Sequence, residues 1–369
     1  MNNQTHLIKK IFLFLFFIAT LTACGGGAPY QPPVDNNDDP TNSQTNIWTS
    51  DFGEVRDVVV SKDGSKAYLA VKDFGGLKIV SLLDPKVPKL LGKVVIGGQI
   101  APGKIRSITL APNGETVYIA SKQALTAIDV RDASKPKIAQ YFSVTSRIVD
   151  PYKLVYDSAL SPDSKTLYVS YGFSGGVKLY DVSDPYHATY IASTTKTSGF
   201  SVTLSKNGKK VFIGNNRLNS SDLTIFDVAD SSAITFLSTT AVSLVDSDNY
   251  AETVELSTDE KYAFVGVENE GLRILDIQET SNPYNIGFLK QFSVSHIRDI
   301  AVSKTGNVIY LASSDGISVI DIKDKENPKL IETLNTGASY HIDLASDGWI
   351  AYVAGSRGFT TIYLSKKDR

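Results

Sequence analysis

Along residues 298–328, RDIAVSKTGNVIYLASSDGISVIDIKDKENP, short apolar runs alternate with polar turns. The stretch reads as strand, turn, strand, turn, strand, turn. The same pattern returns seven times. The apolar residue closing the first strand of each unit is Val60, Leu110, Leu160, Leu204, Leu256, Val302 and Leu344, at spacings of 50, 50, 44, 52, 46 and 42 residues. Eight residues after each stands an aromatic: Tyr68, Tyr118, Tyr168, Phe212, Phe264, Tyr310 and Tyr352. Each sits mid-strand beside aliphatic neighbours and is expected in a core between units rather than on a stacking platform. Between the two landmarks lies a turn such as Lys62-Asp63-Gly64 or Pro112-Asn113-Gly114. Asp, Asn and Gly tolerate the positive φ that a tight hairpin needs.

A third strand follows each aromatic and usually ends in Asp, at Asp129, Asp181, Asp227, Asp276 and Asp321. These five belong to different units and cannot gather at one place. Each is expected to bind backbone N–H groups of its following turn. A fourth strand then runs outward, as at residues 329–334. Several short strands in a period of 40–50 residues predict an all-β, seven-bladed β-propeller. The seventh unit is cut short after residues 359–364, while a spare strand stands at 46–52. Pairing the two closes the last blade with the N-terminal strand and removes an exposed sheet edge.

Here the residues reach a family. GVKLYDVSDP (176–185) and GISVIDIKDKENP (316–328) resemble the LVIVD repeat of bacterial surface propellers, and LSPDSKTLYVS (160–170) resembles the related YVTN repeat. The resemblance spans roughly residues 47–364 and implies a propeller, a fold that serves many roles. The first unit departs from it at Ser81 and the last at Tyr363, where Asp is usual.

Residues 1–23 read as a signal peptide. Lys9 and Lys10 precede an apolar core, IFLFLFFI, too short to span a bilayer. It ends Leu21-Thr22-Ala23-Cys24, which resembles the bacterial lipobox, in whose pattern the Cys becomes the lipidated first residue. Cys24 is the only cysteine, so no disulfide forms within one mature chain. Gly25 follows it; in enterobacterial lipoproteins an Asp there resembles an inner-membrane retention signal, and its absence favours the outer membrane. Residues 24–46 hold the lipidated Cys and a flexible tether rich in Gly, Pro, Asn and Asp, which as a coil spans roughly 25 Å. The propeller is expected over residues 47–369. Membrane attachment is therefore expected through the N-terminal lipid.

Composition is that of an ordinary globular chain, with 42% hydrophobic and 21% charged residues. The formal net charge of −2 falls to about −4 once Lys9 and Lys10 are removed. No basic excess exists to neutralise phosphates, so nucleic acid is not an expected partner.

The candidate chemistry lies at the start of each first strand, which in a propeller lines the central channel. Glu54 and Arg56, Lys104 and Arg106, Tyr156 and Asp157, Glu252, His296, Arg298 and Asp299, and Tyr340 and His341 should ring one mouth of it. Arg56, Arg106 and Arg298 share one repeat position, and converging guanidiniums favour carboxylate or phosphate ligands. The competing expectation pairs them with Asp57, Asp157, Glu252 and Asp299. The longer connections at 73–76, 171–176 and 215–222 open on the same face. His296 and His341 could approach each other and, with Asp299 or Asp343, hold a metal, but no tight spacing supports this. His187 falls on the opposite face.

No phosphate loop, nucleophile elbow or Ser-His-Asp set is present, so no catalytic residue, resident metal or cofactor is assigned. A quinone-cofactor oxidoreductase is disfavoured, since such propellers have Trp-rich blades and this chain has two Trp. The expectation is a lipid-anchored envelope module that binds or scaffolds a protein or glycan. The alternative is a metal-dependent hydrolase, lactonase-like, working in the channel.

Overall fold

The computed structural model describes residues 46–96, 105–121, 124–143, 154–172, 175–194, 198–217, 220–243, 250–290 and 296–364. The signal segment, Cys24, the tether up to residue 45, and Lys104 lie outside these. The described chain forms seven four-stranded antiparallel sheets and no helix. Six of them follow chain order from innermost to outermost strand. The seventh has its innermost strand at Ser339–Leu344, then Ile350–Gly355 and Gly358–Tyr363, with the N-terminal strand Asn46–Ser50 outermost. Asn46 pairs with Tyr363 and Ser50 with Phe359. The ring is thus closed by hydrogen bonds between the two ends of the propeller, and Trp48 meets the Tyr363 ring edge-on at 5.1 Å.

The hairpins form where the turn chemistry demands them. Gly64, Gly114, Gly208, Gly306 and Gly348 take φ between 67° and 78°, which an L side chain adopts only with strain. In blades three and five the same positions carry Ser164 and Glu260, at φ 62° and 57°. The side-chain oxygen of the preceding Asp or Asn accepts from the N–H two residues on: Asp63 from Ser65 and Asn207 from Lys209. The five Asp that end third strands act in the same way. Asp129, Asp181, Asp227, Asp276 and Asp321 each accept from the N–H two residues later, at 2.9–3.1 Å. In blade one the Ser81 hydroxyl stands in at 3.3 Å.

Period-two alternation puts apolar residues on both faces of each blade, because both faces meet a neighbouring blade. All seven repeat aromatics are buried in cores that join adjacent blades. Tyr68, for example, packs with Ile105 and Ile119 of blade two. Blades also dock through their turns. At Gly287 on an outermost strand the Lys325 carbonyl of the next blade comes so near that a Cβ would lie 1.9 Å from it. The expected long connection at 215–222 is corrected: Lys210–Arg217 and Ser220–Asp227 are strands paired as far as Arg217 with Ser220. The backbone of these polar residues continues the ladder instead of ending it.

Candidate functional site at the channel mouth

All seven innermost strands run from one face of the ring to the other, and the residue four before the closing apolar position sits at the mouth. Around the ring this is Arg56, Arg106, Tyr156, Phe200, Glu252, Arg298 and Tyr340. In six blades the ladder slips here. Val55 pairs with Val71 and Asp57 with Ala70, leaving Arg56 as an extra residue. The same slip isolates Arg106, Tyr156, Glu252, Arg298 and Tyr340. A bulge of this kind re-aims its side chain, and these side chains line a cavity of about 580 Å³ together with Asp57, Asp157, His296, Asp299 and His341. The structure therefore brings Arg56, Arg106, Asp157, Glu252, His296, Arg298 and His341 to one cavity.

Cations and aromatic rings interleave along the rim. Tyr340 of blade seven holds a guanidinium from each flanking blade, Arg56 at 4.4 Å and Arg298 at 4.8 Å from its centroid. Arg106 lies 4.1 Å over Tyr156, which meets Phe200 edge-on at 4.7 Å, and Phe200 in turn meets Tyr250 at 4.7 Å. Each cation–aromatic contact contributes about 0.5–2 kcal/mol, according to how far it is desolvated.

Of the three rim arginines, only Arg56 forms an ion pair among the described residues. Arg56 bonds Glu54 at 2.8 Å, and Glu54 also holds Lys72 at 2.6 Å. Among the described residues neither Arg106 nor Arg298 has a carboxylate within ion-pair distance, and the buried Nε of Arg298 has no hydrogen-bond partner. The expected pairing of these arginines with Asp57, Asp157, Glu252 and Asp299 is corrected on this point. The three aspartates are committed elsewhere. One residue further into the channel, Asp57 accepts from the Ile108 N–H of the next blade at 2.6 Å, Asp157 from Val202 at 3.0 Å, and Asp299 from Ile342 at 2.9 Å. Ser201 does the same for Val254 at 3.1 Å, and deeper down Asp343 does so for Val60 at 2.8 Å. Innermost strands have a bare edge, and an unpaired buried N–H there is costly. The side chain of the preceding blade satisfies it.

His341 occupies that position in blade seven. Its Nδ1 lies 3.0 Å from Asp57 and its Nε2 3.3 Å from Asp299. Burial pushes the carboxyls up, Asp57 to about 7, Asp157 to about 6 and Glu255 to about 8; Asp299 and Asp343 rise for the same reason. Burial alone would lower His341, but the surrounding carboxylates, Asp299 and Asp57 foremost, outweigh it and bring the imidazole up to about 9. His341 is thus a cation held in an acidic channel.

His296 belongs to a different set. Its Nδ1 lies 2.9 Å from Glu252 and 3.3 Å from Glu268, so the two histidines share no carboxylate. Burial raises both glutamates. With His296 neutral, one nitrogen and two carboxylate oxygens stand within 4.8 Å of one another, a donor set that divalent metals accept. With His296 protonated the same atoms form an ion-paired triad. His187 is on the far face, 2.7 Å from Asp184 and exposed.

Sequence reasoning missed Glu268, Glu255 and Phe200. Phe200 was legible as a member of the strand-start column. Glu268 and Glu255 lie outside that column and carry no motif.

With the geometry in place, comparison with known proteins defines the class. The LVIVD repeat matches residues 250–292 and 296–336, the fifth and sixth blades. The chain is a seven-bladed β-propeller that carries LVIVD repeats. No curated protein matches it in sequence. Among solved structures it is similar to the β-propeller domain of Myceliophteria thermophila Cps50 (Swd1), with TM-score 0.69 and 14% identity over 87% of this chain and 100% of that one. It is similar to the periplasmic gluconolactonase PpgL of Pseudomonas aeruginosa, with TM-score 0.65 and 13% identity over 77% and 86%. It is also similar to Kuenenia stuttgartiensis hydrazine synthase, with TM-score 0.66 and 15% identity over 86% and 97%. At such identities the likeness is one of fold.

Proposed function

We propose that this protein is a lipid-anchored binding module of the bacterial cell envelope, held by Cys24 in the outer membrane, and that its channel mouth takes an acidic group on a protein or glycan. The observation that carries the reading is the pair Arg106 and Arg298. Both stand at the rim of an open cavity, stacked on tyrosines and, among the described residues, without a carboxylate at ion-pair distance. A guanidinium fixed by stacking keeps its in-plane donors for a ligand carboxylate or phosphate. Neighbouring aromatic faces suit a sugar ring or an apolar side chain.

The test is capture of envelope proteins and acidic glycans by full-length protein and by the Arg106→Ala, Arg298→Ala double variant. Weakened, salt-dependent capture with an almost unchanged melting temperature supports the reading. A lowered melting temperature with intact capture removes this face from consideration. Anchoring is tested separately: Cys24→Ser should release the protein from membranes or leave it unprocessed.

A second reading, a metal-dependent hydrolase, is favoured by one observation, the Glu252, Glu268 and His296 donor set. Metal analysis after dialysis against calcium, manganese and zinc separates the two. Stoichiometric metal lost in Glu268→Gln would favour the hydrolase; the binding module predicts less than one equivalent.

A further inference from the structure

The repeat supplies its own control for the face opposite the mouth. Two residues after the end of the third strand, blades two to six carry Arg131, Ser183, Ala229, Gln278 and Lys323. Blade one carries Leu83, 76% exposed. Four residues further on they carry Lys135, His187, Ala233, Asn282 and Asn327, and blade one carries Val87, 60% exposed. Just before the second strand, blades one to six have Ser65, Glu115, Lys165, Lys209, Lys261 and Asn307, and blade seven has Trp349, 40% exposed. Large apolar groups therefore replace small or polar ones at three solvent positions, all in the two blades that meet at the closure. Nothing in blade folding requires this, since the other blades fold without it.

The three positions open on one end of the ring. Lys86, between Leu83 and Val87, places its ammonium 4.9 Å from the Trp48 ring and 5.5 Å from the Tyr363 ring, so the blade-one turn lies against the outer strands of blade seven. The chain joins the ring at Asn46 on this same end, because Asn46 pairs with Tyr363, the last residue of a strand running away from the mouth. Only the 21 residues 25–45 separate Asn46 from Cys24. A coil of that length spans roughly 25 Å, shorter than the width of a propeller, so this end of the ring is held within reach of whatever Cys24 is anchored to. Tryptophan and lysine beside aliphatic side chains are the residues that settle at the headgroup level of a bilayer, and Lys62, Lys86 and Lys89 are exposed on this end.

We propose that the seam between blades one and seven is a lipid-resting surface. Leu83, Val87 and Trp349 dip into the headgroup layer of the membrane that carries the anchor, and the ring stands with its channel mouth turned away from that membrane. The proposal rests on the anchoring at Cys24 put forward above. It adds an orientation: the rim of Arg106 and Arg298 is presented to the compartment and not to the lipid.

The chain provides its own probe, because its two tryptophans, Trp48 and Trp349, both lie on blade seven. Full-length protein purified from membranes is reconstituted into phosphatidylethanolamine–phosphatidylglycerol vesicles with ordinary or brominated acyl chains. Flotation and tryptophan emission are then read together. The expected result is flotation with emission quenched by the brominated lipid, the quenching being largely lost in a Leu83→Glu, Val87→Glu variant that still floats. Flotation with unquenched wild-type emission overturns the proposal and leaves the anchor standing. Failure to float overturns the anchor itself and the proposal with it. Emission shielded from aqueous iodide but not quenched by brominated lipid, with a doubled mass in detergent, assigns the seam to a second copy and also overturns it. Both glutamates replace exposed side chains, and an unchanged melting temperature shows that the variant is folded.

Discussion

His341 stands between Asp57 of blade one and Asp299 of blade six, 3.0 and 3.3 Å from their carboxylates. At this scale the channel is a titrating system, and the direction of its pH dependence follows from the shifts. A carboxyl raised by folding holds a proton that the unfolded chain has released, so its contribution is greatest at low pH and is lost as pH rises through about 6 to 8 for Asp157, Asp57 and Glu255. His341, raised to about 9, contributes stability below its ordinary 6.5 that is lost as pH climbs through 9. Both effects have one sign. Turn carboxylates such as Asp163 and Asp181, held low by Ser161 and Ser183, act oppositely and lose their contribution only in acid. The melting temperature should therefore peak near pH 4–6 and fall towards pH 9. His341→Gln should cost on the order of 3 kcal/mol near pH 5.5, where the imidazolium's contribution is fully present, and clearly less near pH 9.5, where the wild-type imidazole has also lost its proton. Equal costs at the two pH values in urea unfolding would refute this account. A smaller effect belongs to Ser164, at φ 62°. Ser164→Gly should raise stability by about 1 kcal/mol by removing left-handed strain, seen as a higher urea midpoint.

How far such residues were legible depended on what their roles require. The rim arginines were legible because they recur in one column at the start of an apolar run. The inner column, Asp57, Ser107, Asp157, Ser201, Thr253, Asp299 and His341, was not read as a set, because it mixes acids, hydroxyls and a histidine. Its most repeated task is accepting an N–H from the next blade, and no single strand reveals that. The bulge that turns Arg56 and its counterparts to the mouth is also silent in sequence, since any residue can occupy it.

At the scale of the element, one strand length and one turn chemistry repeat, so the apolar pattern located blades almost residue by residue. The exception, 215–222, shows the limit: Asn, Ser and Asp read as loop, yet the ladder carries them. Docking between blades is less legible still. Gly287 lies mid-strand, where glycine weakens a sheet, and its reason is the Lys325 carbonyl of the next blade. Gly287→Ala should cost about 1–3 kcal/mol through forced displacement of that turn. Its position sets it apart from Gly64, where a Cβ meets nothing within 4 Å and any cost is conformational. Urea unfolding of both, with amide exchange at residues 322–328, checks the assignment: only Gly287→Ala should loosen the neighbouring blade's turn.

At the scale of the whole molecule, a ring of seven sheets is stable only if it closes, because an open ring exposes two blade faces and a strand edge. Closure here is by Asn46–Ser50 on Gly358–Tyr363, with Phe52 and Phe359 packed into the core between blades one and seven. On the anchoring proposed above, the strand that closes the ring also receives the tether, so closure and anchoring would meet at Asn46. A pull applied there would be borne first by the Asn46–Tyr363 end of that ladder. Two deletions separate the roles. Removing residues 25–44 leaves the closing strand whole and should barely change the melting temperature. Removing residues 25–53 takes away five ladder pairs and the Trp48 and Phe52 contacts. That should lower the melting temperature by many degrees and promote association through the bared edge of Gly358–Tyr363. Calorimetry with light scattering on both variants decides it. Equal melting temperatures would mean that blade seven holds with three strands and that the N-terminal strand serves the tether alone.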